Sequence, residues 1–265
     1  MLGVLFTIVV FWIPFYFIIA NAGKSVKEAS LLNLKWPKVP QFWENMKIVF
    51  QARDYMLLRA FLNSSVLTVA SIILLVILCA MAGYVLQRRS DRLTPVFNFL
   101  ILAGLIIPPA IVPTIWVMDG LGLFKKLIGL IMVEVALGFP FTVMLYKGFM
   151  SSIPREIDEA AVIDGCGGFR LFFRIILPLL QPVTATIVVL SSVTIFNDFT
   201  NPLYFLPGSK NATVQLTLYN FQSQFVTQYN LLFTNILLIT IPPLILFLIF
   251  NRRIVAGMTA GSVKG

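Results

Sequence analysis

Six stretches of mostly apolar residues, at about 2–20, 61–86, 93–118, 127–146, 180–197 and 231–250, constrain this chain more than any other feature. A helix of about twenty residues rises roughly 30 Å, which matches the hydrocarbon core of a bilayer. Within that core the backbone must satisfy its own N–H and C=O groups, so runs of this kind are expected as helices. The chain is therefore expected to be all-α, a polytopic membrane protein whose six spans form a single transmembrane domain over 1–265. Residues 2–20 lack a basic segment before them and a convincing small-residue cleavage site after them, so they read as a retained span rather than a signal core.

Composition narrows the function. Hydrophobic residues make up 58% of the chain and charged residues only 12%, where soluble domains carry about a quarter. The net charge of +9 does not mark a nucleic-acid binder, because the bases sit in the short gaps between apolar runs, where membrane proteins keep them. Histidine is absent, which removes the commonest general base and metal ligand. With no HExxH or Ser/His arrangement either, a membrane-embedded enzyme is the weakest functional class. Cys79 and Cys166 lie far apart and suit packing roles, so no disulfide framework is expected. No metal site is expected.

Proline punctuates the spans, and the group Pro108, Pro109 and Pro113 must bend or break the third one. Six spans put both termini on one side of the membrane. Lysine and arginine together divide evenly between the two sides, but eight of the ten arginines fall on the side of Glu159. That lean alone does not fix the orientation.

Between the fourth and fifth spans, residues 151–178 break the apolar pattern. Pro154 suits a first helical turn, and Glu156, Asp158 and Glu159 sit near that turn's positive end. Ile153, Ile157, Ala160 and Ala161 are expected on one face, which the alanines keep low enough for another surface to approach. Asp164 and Gly165 turn the chain, followed closely by Gly167 and Gly168. From Phe169 a second amphipathic helix is expected, with Phe169, Phe172, Phe173 and Ile176 at i, i+3, i+4 and i+7. Arg170 and Arg174 stand on its other face. The segment reads as a helix–turn–helix elbow along the membrane surface, with a small acidic knob at its tip. A plain solvated connector would not need these features in succession.

The pattern Glu159-Ala160-Ala161, three residues, Gly165, nine residues, Ile175, one residue, Leu177-Pro178 resembles the EAA loop of permease subunits of ATP-binding-cassette importers. Asn63-Ser64, Ala82-Gly83-Tyr84, Ile107-Pro108-Pro109, Phe139-Pro140-Phe141, Asn197-Asp198-Phe199 and the tail 257–265 extend the likeness to MalG-like permeases of carbohydrate importers. The resemblance implies that the elbow and both termini are cytoplasmic. It implies a helix–turn–helix coupling loop in which Ile157, Glu159, Ala160, Ala161, Asp164 and Gly165 dock on an ATPase. It further implies that Gly257, Thr259, Ala260, Gly261 and Lys264, in the tail 251–265, reach the ATPases. The partners it implies are a second, different permease of the MalG/MalF type, two ATP-binding-cassette ATPases and an extracytoplasmic solute-binding protein, in addition to membrane lipid. The chain has no G-x-x-x-x-G-K-[ST] phosphate loop, so ATP and Mg are expected on the separate ATPase and this chain itself binds no cofactor.

Glu134 falls in mid-span, where an ionised carboxylate costs a few kcal/mol on insertion scales; it is expected to face protein or water, either lining the path or pairing helices. Asn197 and Asp198 close the fifth span and are candidates for the translocation path, with a hydrogen-bonding patch at the helix end as the alternative. The polar loop 200–230 is expected to meet the binding protein in the importer reading. Residues 22–59, with seven basic and three acidic side chains, are expected as a second outer segment anchored by Trp36 and Trp43. Their net charge keeps an acidic saccharide among the candidate solutes. The alternative class, a stand-alone channel or secondary carrier, calls for internal repeats or a denser set of intramembrane charges.

Overall fold

The computed structural model of the chain describes residues 6–222 and 227–260. They fall into two compact units, one of 6–65 with 198–222 and 227–244, and one of 66–197 with 245–260. All regular elements among the described residues are helical.

In the first unit a π-helical turn at Ile8–Trp12 leads into α1, Ile13–Ala22, with Pro14 at its start, where a missing N–H is harmless. The end of α1 is buried at Ala20, Asn21 and Ala22, and the chain after it folds back on a polar network. Lys24 Nζ donates to Asn21 Oδ1 at 2.9 Å, the Asn33 carbonyl at 2.8 Å and Asn33 Oδ1 at 3.0 Å. Asn45 Nδ2 donates to the carbonyls of Ala22 and Lys24, and Asn230 Nδ2 donates to Asn45 Oδ1. Thr234 Oγ1 closes the set on the Ala22 carbonyl at 3.1 Å. Every donor of the buried ammonium has an acceptor, as a buried charge requires. Burial also lowers the Lys24 pKa, opposed by the nearby Glu28 carboxylate. Trp36 and Trp43 are both exposed, and Trp36 rests one side of its ring on Tyr16 and Phe42.

The next helix, α2, covers Phe42–Arg88 with an interruption at Ala52, Arg53, Asp54 and Tyr55. Arg53, Asp54 and Tyr55 all have positive φ, between 47° and 56°, a conformation that L-residues adopt reluctantly. Arg59 braces the turn by donating to the carbonyls of Arg53 and Asp54. Regular helix resumes after Tyr55 and runs on through the second apolar run.

In the second unit, the remainder of α2 packs with α3 (Thr94–Ile106) and α5 (Leu127–Met150), and α4 (Ile111–Gly120) follows α3 in the chain. The prolines have the expected effect on the third span, because α3 and α4 meet at a bend of 117°. Gly83 brings α2 against α5 so closely that a Cβ there would stand 2.7 Å from the Tyr146 Cβ, the small-residue contact by which membrane helices approach. Tyr146 and Thr184 share a hydroxyl–hydroxyl hydrogen bond of 2.9 Å, which links α5 to α8, Gln181–Phe196. The last helix, α9, runs Tyr229–Ala260 through Pro242 and Pro243.

Among the described residues, α2 and α5 are each long and apolar enough to cross a membrane, and the bent pair α3–α4 can add another span. A further bent pair, Gly168–Leu179 with Gln181–Phe196, turns through 75°. The apolar parts of the first and last helices, Val9–Ala22 and Tyr229–Ile245, are shorter. The chain is a multi-pass membrane protein. The break at Pro108 and Pro109 divides the third apolar run into helices of 13 and 10 residues.

Candidate functional site: the elbow after the fourth span

The elbow comprises α6, Glu156–Ile163, and α7, Gly168–Leu179, joined by a turn in which Gly165 has φ +75°. This left-handed conformation, free of penalty only in glycine, lets the Cys166 N–H reach the Ala161 carbonyl at 2.9 Å and close α6. Three acids occupy the first turn of α6, where the helix dipole favours them.

The two sides of α6 differ sharply. Ala161 is buried, together with Ile153 just ahead of the helix, and Ile157 is half-buried. Glu159, Ala160 and Asp164 are exposed, as are Val162 and Ile163, the latter at 85%. Ala160 and Ala161 therefore part company: one packs inward and the other outward. Across the turn, Phe169 is 75% exposed and extends the bare apolar surface.

The second helix departs from simple amphipathicity. Residues Phe172–Ile176 form a π-helical turn, which inserts one residue into the repeat and rotates the residues beyond it. Leu171, Phe172 and Ile176 are buried, while Phe169 and Phe173 turn outward. The i, i+3, i+4, i+7 face expected from Phe169 is thereby corrected.

The elbow is fixed by an interaction that the sequence pattern does not announce. The Asp158 carboxylate receives the Tyr84 hydroxyl on Oδ1 at 2.8 Å, and Arg88 stands 2.7 Å from Oδ2 as an ion pair. Both charged side chains are largely withdrawn from water, at 14% and 16% exposure. Arg88 also donates to the carbonyls of Ile153 and Pro154, and Arg155 donates to the Gln87 carbonyl. The Tyr84 ring lies 5.7 Å from that of Phe172, so one end of α2 holds both limbs of the elbow. A signal was present: Tyr84 and Arg88 are four apart at the end of a span, and Asp158 directly succeeds Ile157, whose i+4 neighbour Ala161 packs inward. A separation of 74 residues between Tyr84 and Asp158 hid the pairing.

Other sequence candidates lie apart from the elbow. Glu134 is buried in α5, at 6% exposure. Asn197 donates to the Val193 carbonyl at the end of α8. Asp198 accepts from the backbone N–H groups of Thr200 and Asn201, capping the short helix Thr200–Phe205. The backbone of α9 continues helical through Gly257, Thr259 and Ala260, and Gly261 and Lys264 lie outside the described residues.

Known proteins share this architecture. The chain is 32% identical over 262 residues to the melibiose/raffinose/stachyose import permease protein MelC of Bacillus subtilis, covering 96% of this chain and 92% of that protein. It is 33% identical over 258 residues to the probable starch degradation products transport system permease protein AmyC of Thermoanaerobacterium thermosulfurigenes, with the same coverage. A solved bacterial ABC transporter involved in import of the acidic polysaccharide alginate has the same fold, with a TM-score of 0.79 over 95% of this chain and 92% of its own, at 20% identity. Residues 73–260 match the family described as "Binding-protein-dependent transport system inner membrane component". That span contains the elbow and the helices that hold it, and the chain belongs to this family of transport permeases.

Proposed function

We propose that this chain is one permease subunit of an ATP-driven importer of sugars or oligosaccharides, and that the elbow is the handle by which a separate ATPase moves it. The observation that carries the proposal is the asymmetry of α6. One side is clasped by Tyr84 and Arg88, while Glu159, Ala160 and Ile163 stand bare on the other. Exposed carboxylates, Glu159 and Asp164, rimming an apolar patch make a surface for a partner carrying a basic group. In this reading Glu159, Ala160, Ile157, Asp164 and Gly165 shape the docking knob, and Ala161 seats it on the permease.

ATP and Mg belong to the ATPase in this scheme. This chain supplies half of the translocation pathway beside a second, different permease, and both termini are cytoplasmic. An extracytoplasmic binding protein delivers solute to the opposite face. The names of the 32% and 33% identical relatives favour uncharged oligosaccharides. The alginate importer, at 20% identity, supports the fold and does not argue for an acidic solute. Asp198 serves as a helix cap, and Glu134 fits helix pairing better than the solute path.

Affinity isolation of the chain from membranes tests this directly. The expected result is a complex containing an ATP-binding-cassette ATPase and a second permease. In that complex Glu159→Lys, or Gly165→Val, should abolish raffinose uptake with normal insertion of the chain. Deletion of 257–265 should lower ATP turnover more than assembly. Isolation of a solitary, ATP-independent carrier would overturn the reading in favour of a secondary transporter.

A further inference from the structure

A crevice within the second unit, lined by the end of α2, by α3 and by α5, has two parts with opposite chemistry that share Ile101. The larger, about 540 Å³, is lined by Met81, Val85, Phe97, Leu100, Phe139 and Pro140. The smaller, about 300 Å³, is lined by Gln87, Asn98, Lys147 and Ser151 among apolar neighbours. The close approach of α2 to α5 at Gly83, where an added Cβ would meet the Tyr146 Cβ at 2.7 Å and the Lys147 backbone nitrogen at 3.0 Å, lies beside this crevice.

Lys147 sits in the last turn of α5, just before the elbow. Its ammonium donates to Asn98 Oδ1 at 2.7 Å. Among the described residues no carboxylate forms an ion pair with it. An ammonium has three donors, and one neutral acceptor neither fills them nor balances the charge. The lining residues include no acid. A positive, hydrogen-bonding pocket at a helix end, continuous with an apolar groove between membrane helices, complements an amphiphile with an anionic head.

We infer that this crevice is a binding site for one anionic phospholipid, with the phosphate held by Lys147, Asn98 and Gln87 and an acyl chain lying along Met81, Phe97, Leu100 and Phe139. The site goes beyond the importer reading and does not depend on which solute is carried. A bound lipid would wedge the α2–α5 contact immediately beside the Arg88–Asp158 clasp.

The test is native mass spectrometry of the purified transport complex after reconstitution in vesicles of phosphatidylglycerol or of phosphatidylcholine. Wild type should retain one phosphatidylglycerol that Lys147→Gln releases with about fivefold lower apparent affinity, and Lys147→Arg should restore it. Leu100→Trp, which fills the groove while keeping the ammonium, should also expel the lipid. Retention of phosphatidylglycerol unchanged in both Lys147→Gln and Leu100→Trp would overturn the site. So would equal retention of phosphatidylcholine, or displacement by inorganic phosphate as effective as by phosphatidylglycerol, because either would remove the role of one half of the crevice. A cross-link from Leu100→Cys to a helix of the second permease would assign the groove to that partner instead.

Discussion

Two buried cations tie non-spanning segments to helix ends in this molecule, and they do so in different ways. Lys24 is surrounded by neutral acceptors from Asn21 and Asn33, and the adjoining amides of Asn45 and Asn230 carry the network on to two further segments. Arg88 meets one carboxylate and two carbonyls, all from the elbow and its lead-in. The first arrangement immobilises a segment from many sides. The second holds a segment from one side only and leaves its other face exposed. A part of the protein that must be gripped by something else, and must pass that motion on, needs the second design.

Breaking the elbow's tether should give the largest effect. Removing Arg88 would leave Asp158 nearly buried without its counter-charge, a change worth about 3 kcal/mol in comparable sites. Arg88→Ala and Asp158→Ala are each expected to cut uptake at least about tenfold, which corresponds to roughly 1.4 kcal/mol of lost coupling. Isolated complexes should still contain the ATPase, because the exposed face of α6 is untouched. The exchange Arg88→Asp with Asp158→Arg should recover part of the transport. Uptake equal to wild type in either single variant would show that the tether carries no motion.

Lys24→Ala sharpens the comparison from the other side. It strands acceptors on Asn21 and Asn33, a loss of about 1–3 kcal/mol, and should lower the apparent Tm of the purified complex. Transport per folded molecule should stay near wild type. A loss of transport at unchanged Tm would mean that the two buried cations do the same job after all.

Glu134 offers an intermediate case, a buried acid within α5. Glu134→Gln keeps the shape and removes the charge, so a loss of about 1 kcal/mol is expected. Thermal unfolding should detect it without a comparable fall in transport rate. The reverse pattern would return Glu134 to the solute path.

The smallest effect concerns pH. Burial lowers the Lys24 pKa below 10.5, so between the two values the unfolded chain holds a proton that the folded chain has released. Stability therefore rises with pH in that window and is flat below it. The Tm difference between wild type and Lys24→Met should shift in favour of wild type as pH climbs towards 10.5. A shift in the opposite direction would contradict the burial argument.

Local signals in the sequence survived into the structure where the chemistry is local. Pro108 and Pro109 broke the third span because proline cannot donate and crowds the preceding turn. Gly165 took the left-handed turn that its Asp-Gly setting announces. Interactions between distant segments were not legible. The π turn at Phe172–Ile176 rotated Phe169 and Phe173 away from the face their spacing predicts, and packing rather than periodicity decides such turns. The run of positive φ at Arg53, Asp54 and Tyr55 has no glycine to mark it. The clasp of Tyr84 and Arg88 on Asp158 joins two stretches that are ordinary when read separately.

The central claim is that α6 offers one face to the permease and the other to an ATPase. Site-directed cross-linking in a Cys79→Ser, Cys166→Ser background tests it most directly, with single cysteines placed at Ala160, Ala161 and Ile163 in the intact complex. Cross-links to the ATPase from Ala160→Cys and Ile163→Cys, and none from the buried Ala161→Cys, are the predicted result. Equal cross-linking from all three positions, or none to the ATPase from any of them, would contradict it.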